Sequence, residues 1–336
     1  MRTILRIIYC ALFLFMASTA IGPAFGGIFD LFPAAEWPII VICAILVIAN
    51  TRLVSNPTVP IMLLFSAITV FIFHNGRLSF QPVAPADHIR MLSLNVGQFR
   101  NDTNRVNKVI STIIEQDADI VLLQEFGLFY KWPNVDQMSK QFAKRVSMPF
   151  YHFQPHEGNI FGTAIFSRFP IQDSELIFNQ LSNTNEAWIH NINCKGQEVT
   201  LVNCHLQSFN VQGDKHSVYA IPFLEITDSQ LVQMNRVISK INQVRPKPTF
   251  VFGDLNCVGG STVYNALSDQ FIDAIVLAGK GWESTFEYLP IRIDHAFVSS
   301  GIVISNVDII ANVGSDHKAI LLDVSGLSCL HSAVEN

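Results

Sequence analysis

Pro248–Asn256, PTFVFGDLN, is the stretch on which the reading of the chain turns. Thr249 to Phe252 are β-branched or aromatic, which predicts a short buried strand. Gly253 ends it, and Asp254 and Asn256 follow with one residue between them. Residues two apart in extended backbone project the same way. A carboxylate and a carboxamide would therefore stand together above the strand end. The pair suits phosphate chemistry, because the carboxylate can take a proton or hold a water and the amide can donate to an oxyanion. The same letters also fit a polar turn with Asp254 capping a helix. The rest of the chain decides between them.

Working outward, the same pattern recurs. IRMLSLNV predicts a strand running to Asn95, and DIVLLQE one ending in Glu125. Between them Thr103 is read as the cap of a helix with Val106, Val109, Ile110, Ile113 and Ile114 on its apolar face. A helix is expected over 134–147 and a strand with an exit turn over GTAIFSRFPI, 162–171. Segments 186–194 and 199–205 read as a hairpin turning near Gly196–Gln197, with His205 at its end. Residues 206–226 lack periodicity and read as a long, substrate-facing loop, before a capping box Thr227-x-x-Gln230 opens a helix. After PTFVFGDLN come a short helix at 261–267, IRIDHAFVS with Asp294 and His295, a strand near 303–311, and HKAILLDV, preceded by Asp316. Each polar strand end could be a simple turn. Six in series across one domain point to a site on one rim of a sheet.

Composition divides the chain. Residues 1–76 carry only Arg2, Arg6, Arg52, Asp30 and Glu36 as charges, so of a total charge of −5 the remainder holds −6. Ile7–Phe29, Trp37–Thr51 and Asn56–Gly76 are uncharged. They predict three transmembrane helices at about 7–29, 37–54 and 57–75, the second extended if Arg52 snorkels. The first run also fits a cleaved signal peptide, with Ser18 and Ala20 as small residues near a cleavage site. Arginines flank the first span on its N-terminal side and sit between the second and third, whereas Asp30 and Glu36 lie between the first and second. That bias places the globular part outside a cell membrane that the chain crosses several times. The expected layout is a membrane region at 1–76, a linker at 77–88, a catalytic domain at 89–325 and a tail at 326–336. Cys194, Cys204, Cys257 and Cys329 show no metal-binding spacing, and a domain of this size needs no disulfide framework.

The ordered set LSLNV, LLQE, GTAIFSRFPI, NCHLQ, GDLN, RIDHAFVS and GSDHKAI, over about 88–324, resembles the endonuclease/exonuclease/phosphatase superfamily. That group includes the pancreatic-type deoxyribonuclease, neutral sphingomyelinases and inositol polyphosphate 5-phosphatases. The layout also looks like its bacterial membrane-anchored members. The resemblance implies an α/β fold of two packed, mostly antiparallel β-sheets flanked by helices, a four-layer sandwich. It implies a divalent metal, Mg2+ with Mn2+ as a substitute, at Asn95, Glu125 and Asp316. It implies that Asp254 orients or deprotonates the attacking water, that Asn256 orients the phosphate, and that His317 stabilises the pentavalent phosphate. Asp294 is implied as a second acid and His205 as a histidine near the leaving group. The pancreatic-type enzyme backs that histidine with a glutamate in the region that is GTAIFSR here, so His205 is expected to lack its partner. His216 reads as a solvated loop residue, His295 as structural, and Trp188 and Trp282 as packing.

The expected function is a metal-dependent phosphodiesterase or phosphatase acting by in-line attack of water. Its substrates would be a lipid headgroup, a small phosphodiester or nucleic acid. Membrane lipid around the N-terminal helices is the other partner, and no obligate protein partner is evident. A DNA endonuclease or exonuclease is the alternative, weakened by the lack of a basic stripe. A non-catalytic binding module is a second alternative. Against it stands the cluster of carboxylates, which repel one another without a metal.

Overall fold

The computed structural model describes residues 88–127, 134–155, 161–179, 185–208, 222–244, 247–279, 283–289 and 291–327, with positions 61, 64 and 65. The three expected membrane spans lie outside the described residues apart from those three positions, as do His216, Trp282 and Cys329. Among the described residues no helix is long and apolar enough to cross a membrane.

Strands β1 (His88–Asn95), β2 (Ile120–Gly127), β3 (Phe150–Phe153) and β4 (Phe161–Ser167) join β11 (Val303–Ile310) and β12 (Ala319–Ser325) in one sheet, ordered β11-β12-β1-β2-β4-β3. The other sheet holds β5 (Ile171–Asn179), β6 (Glu186–Cys194), β7 (Gln197–His205), β8 (Thr249–Asp254), β9 (Ile272–Asp273) and β10 (Asp294–Val298), ordered β5-β6-β7-β8-β10-β9. Each sheet has one parallel pair, β1 with β2 and β7 with β8, and is otherwise antiparallel. The helices are α1 (Thr103–Glu115), α2 (Val135–Arg145), α3 (Pro222–Val244), α4 (Thr262–Ser268) and α5 (Ala274–Ala278). Parallel strands need a crossover. Here α1 connects β1 to β2 and α3 connects β7 to β8.

Strand alternation builds the layers. Met91, Ile120, Leu122 and Ile165 face Leu201, Phe250, Phe252 and Ala296 in the core between the sheets. Leu92, Leu94, Val121 and Leu123 face outward onto Val109, Ile113 and Phe142 of α1 and α2. On the other side Val202, Val251 and Phe297 meet Met234, Ile238 and Ile241 of α3 and Leu267 of α4. β8 is buried on both faces, which is why TFVF reads as an unbroken apolar run. Truncating a ring such as Phe252 to alanine would cost about 3–5 kcal/mol.

Several boundaries differ from expectation. Asp102, not Thr103, caps α1, accepting the Asn104 N–H at 2.8 Å, and Ile114 faces solvent. α3 begins at Pro222, so Thr227 lies inside it and Gln230 is no capping residue. The Gln230 amide is buried and donates to the carbonyls of Gln207 at 2.6 Å and Asn256 at 3.0 Å. The hairpin turns at Lys195–Gly196, both at positive φ (54° and 93°), the two-residue turn that matches strand twist. That is one residue earlier than expected, which shifts the pairing by two residues and sets Glu186 rather than Trp188 opposite His205.

Candidate active site

The two parallel pairs open their C-terminal ends toward one place. Asn95 ends β1 and Glu125 lies two residues before the end of β2, which runs on to Gly127 rather than stopping at Glu125 as expected; His205 and Asp254 end β7 and β8 of the other sheet and are direct register partners. Gly253 makes that pairing possible: its φ is 142°, and a Cβ there would lie 1.8 Å from the Cys204 carbonyl oxygen. Glu125 sits at φ 52° in a β-bulge, where Gln124 and Glu125 together oppose Thr163. The bulge re-aims the carboxylate. Gln124 points between the sheets, donating to Asn203 Oδ1 at 2.7 Å and Ser93 Oγ at 3.2 Å. The Asn203 amide in turn donates to the Leu123 and Ala164 carbonyls, so a polar clasp joins the sheets beneath the site.

Asp254 is the hub. Its Oδ2 accepts from Asn95 Nδ2 at 3.0 Å and lies 3.7 Å from His205 Nε2 and 3.8 Å from His317 Nε2. Its Oδ1 accepts the Asn256 N–H at 3.0 Å. Glu125 Oε1 lies 3.4 Å from Asn95 Nδ2 and 3.8 Å from His205 Nε2. Asp294, in register with Asp254, stands 2.9 Å from His317 Nδ1, and its backbone N–H is held by Thr285 Oγ1 at 3.0 Å. Asn256 donates one amide hydrogen to the Leu206 carbonyl at 3.0 Å. The structure thus brings Asn95, Glu125, His205, Asp254, Asn256, Asp294 and His317 together. A site on the rim of a sheet would be open to solvent. Instead Asp254 is 2% exposed and Asp294, His205 and Asn95 are no more than 3% exposed, because the sheets close over them.

Asp316 is set apart from that convergence. Its carboxylate pairs with Arg100 and takes a hydrogen bond from Ser315 Oγ. Burial pushes the His317 imidazole down, but Asp294 and then Asp254 outweigh it and hold it up at about 10, so it is cationic at neutral pH. Burial also pushes Asp294 up, opposed by His317 and aided by Asp254. Asp254, Asp294 and His317 offer ligand atoms all within 4.8 Å of one another. His317 Nδ1 is committed to Asp294, so the carboxylate face formed by Glu125 and Asp254, with Asn95 beside it, is the better fit to a hard oxygen-seeking cation. Cys204 and Cys257 adjoin His205 and Asn256 in the chain but are buried, as is Cys194, and burial raises the thiols of Cys194 and Cys204.

One acid escaped the sequence reading. Glu186 is buried, and directly opposed strand residues share a face, so it stands beside His205 on the neighbouring strand. Its Oε1 accepts the Thr163 N–H, left over opposite the bulge, and Thr163 Oγ1 at 3.1 Å. A Cβ on Gly162 would lie 2.5 Å from that oxygen. The expectation that His205 has no acid at hand was drawn from GTAIFSR alone. The acid comes from β6, and the correct hairpin turn would have exposed it.

Comparison with known proteins places this geometry. The sequence model of the endonuclease/exonuclease/phosphatase family matches residues 92–317. No curated protein sequence matches. Among solved structures, TDP2 of D. rerio complexed with a single-strand DNA product aligns at 21% identity and TM-score 0.54, covering 71% of this chain and 100% of that one. A mannosyl-6-phosphatase of Bacteroides thetaiotaomicron VPI-5482 aligns at 16% identity and TM-score 0.53 over 71% and 100%. A family protein from Leptotrichia buccalis C-1013-b aligns at 17% and 0.53 over the same shares. At these identities the likeness is one of fold.

Proposed function

The chain belongs to the endonuclease/exonuclease/phosphatase family, and from that premise we propose that it is a divalent-metal-dependent phosphoester hydrolase. The observation that carries the reading is the convergence on Asp254 of an amide, two histidines and two further carboxylates from both sheets. Asp254 would orient the attacking water and take its proton, a role worth about 10²–10⁴-fold. His317, cationic and fixed by Asp294, would balance the charge gathering on the phosphoryl oxygens. Asn256 would offer its second amide hydrogen to one of those oxygens. His205 would protonate the leaving oxygen. Glu125, beside Asn95, would hold the cation, Mg2+ or Mn2+, whose chemistry there is neutralisation and polarisation of the phosphate.

The test is a panel: the full chain with Mg2+ or Mn2+ against DNA, sphingomyelin, phosphoinositides, sugar phosphates and a generic phosphodiester. Metal-dependent turnover of at least one is expected, and silence on all with an intact fold would refute the reading. The arginine bias around the three apolar runs supports a membrane-anchored enzyme facing outward. An export-dependent phosphatase fused at Ser79 should then be active. A silent phosphatase with an active cytoplasmic reporter at Ser79 would reverse the topology.

A further inference from the structure

The segment between β1 and α1 winds the wrong way. Gly97, Gln98, Phe99 and Arg100 have φ of 53°, 54°, 51° and 43°, a left-handed turn in which three residues carry side chains. Left-handed backbone is costly for each such residue. The turn is held at its middle by Phe99, fully buried, with its ring 5.8 Å from Phe126 and 6.4 Å from Phe142. It is held at its ends by Gly97 N–H on Asn95 Oδ1 at 2.9 Å and by Asp102 N–H on the Phe99 carbonyl at 2.9 Å. The next residue, Arg100, is thrown outward with its side chain 50% exposed.

Arg100 lands beside the site. Its guanidinium pairs with Asp316, the neighbour of His317, and lies close to the Tyr288 hydroxyl. Asp316 packs against Gly97, and Ser315 Oγ donates to the Asn95 carbonyl at 2.6 Å. Tyr288, 64% exposed, stacks edge-on against Phe286, whose ring lies 5.3 Å from His317. An exposed fork of donors and a phenol therefore stand at the mouth of an acid-rich site. Burial of Phe99 holds the turn, and an exposed ion pair adds little stability to it. What the turn leaves free is the guanidinium, presented beside the site.

We propose that Arg100, with Tyr288, determines specificity by binding a second phosphoryl group of the substrate, adjacent to the one that is cleaved. A guanidinium matches phosphate with two parallel hydrogen bonds. Asp316 holds the guanidinium in place and competes for it. This inference rests on the phosphoester hydrolase reading and names the substrate class within it: phosphoesters carrying a second phosphoryl group, whether on a nucleotide or on a phosphorylated sugar.

Matched substrate pairs test it with the full chain. One pair is thymidine 5′-(p-nitrophenyl phosphate) with and without a 3′-phosphate; the other is fructose 1,6-bisphosphate and fructose 6-phosphate. The arm in which the doubly phosphorylated member has the lower KM identifies the source of the second group. Arg100→Gln should raise KM for that member about tenfold or more, with kcat moving less than about threefold and the singly phosphorylated member little affected. Arg100→Lys should lie between, since it keeps charge without the fork. Asp316→Asn should lower KM for the doubly phosphorylated member by freeing the guanidinium. An ion pair that only braces the loop would move Arg100→Gln and Asp316→Asn in the same direction on both members, and that result overturns the proposal. If no substrate is turned over, the hydrolase reading fails separately. Calorimetric binding of the two fructose phosphates in calcium then decides, and an unchanged affinity ratio in Arg100→Gln overturns the proposal. Tyr288→Phe supplies the same comparison should Arg100→Gln fail to fold.

Discussion

Strand β10 carries a charged cluster on each face, and the two are built to opposite rules. On the His295 face, Asp273 is surrounded. Arg292 lies 2.8 Å from its Oδ2, Tyr264 donates to the same oxygen at 2.8 Å, and the Ile275 and Val276 N–H groups cap Oδ1 at 2.9 and 3.1 Å. Burial pushes this carboxyl up, yet the Arg292 charge, the nearby His295 and the Tyr264 hydrogen bond hold it well below the usual range. His295 also ties to the Cys257 carbonyl at 2.8 Å, just past Asn256. One anion meets one cation, and each oxygen is filled. On the Asp294 face, Asp254 and Asp294 share one cationic partner, His317, Glu125 approaches His205 instead, and several approaches stop at 3.7–3.8 Å. A balanced buried cluster braces a loop. An acid-rich one stores repulsion that an incoming cation relieves.

The largest expected effect separates the two faces by readout. Asp254→Asn keeps the shape of the hub and should lower kcat by about 10²–10⁴-fold while the melting temperature hardly moves. Asp273→Asn leaves a buried guanidinium without its anion and should cost about 3–5 kcal/mol. The activity per folded molecule should stay close to wild type. Kinetics and circular dichroism melts on both variants check this. A large activity loss at Asp273 with unchanged melting would erase the distinction.

A second test sharpens the site side. Gly162→Ala forces a Cβ against Glu186 and should displace the carboxylate beside His205. The expected loss is smaller, roughly tenfold in kcat for a group acting on an acid–base residue rather than on substrate. It should be greatest on substrates whose leaving oxygen most needs a proton. Equal losses on a p-nitrophenyl ester, with its good leaving group, would mean that Glu186 only braces the sheet.

The third test lies away from both clusters and touches stability alone. His190, fully enclosed and bonded to Ser174 Oγ at 2.8 Å, is pushed down to about 3 by burial, with His152 adding to it. The folded state resists a proton that the unfolded chain accepts near pH 6.5. Its contribution is therefore complete above that pH and is lost progressively as pH falls toward 3. At pH 5 the loss is about 2 kcal/mol. His190→Gln should flatten this part of the stability profile measured by urea unfolding. A profile as steep as wild type between pH 6.5 and 5 would contradict it.

Much of this was legible because polar letters ending apolar runs are visible without any structure. Asn95, His205 and Asp254 each close a strand, Glu125 stands two residues short of the end of its own, and the two crossover helices follow from helical spacing. The edge strands β3 and β5 were missed, since an edge strand such as IQDSELIFN lacks a clean apolar alternation. Glu186 was missed because a turn placed one residue late shifts the pairing by two and sets Trp188 opposite His205 instead. The bulge at Glu125 and the left-handed turn before Arg100 have no local signature beyond Gly97, because tertiary packing of Phe99 and the crossing of the sheets impose them. Asp316 looked like a ligand by its place beside His317, and only the fold brings Arg100 to it.

The central claim is that Asp254 acts on water while Glu125 holds the cation. It is tested by kcat as a function of Mg2+ and Mn2+ concentration for wild type, Glu125→Gln and Asp254→Asn on one phosphoester. Removing charge at a hard cation weakens its binding, so Glu125→Gln should recover in part at high metal. Asp254→Asn should remain about 10²–10⁴-fold down at every concentration. Equal rescue of both variants would make Asp254 chiefly a ligand, and undiminished activity in both would contradict the site itself.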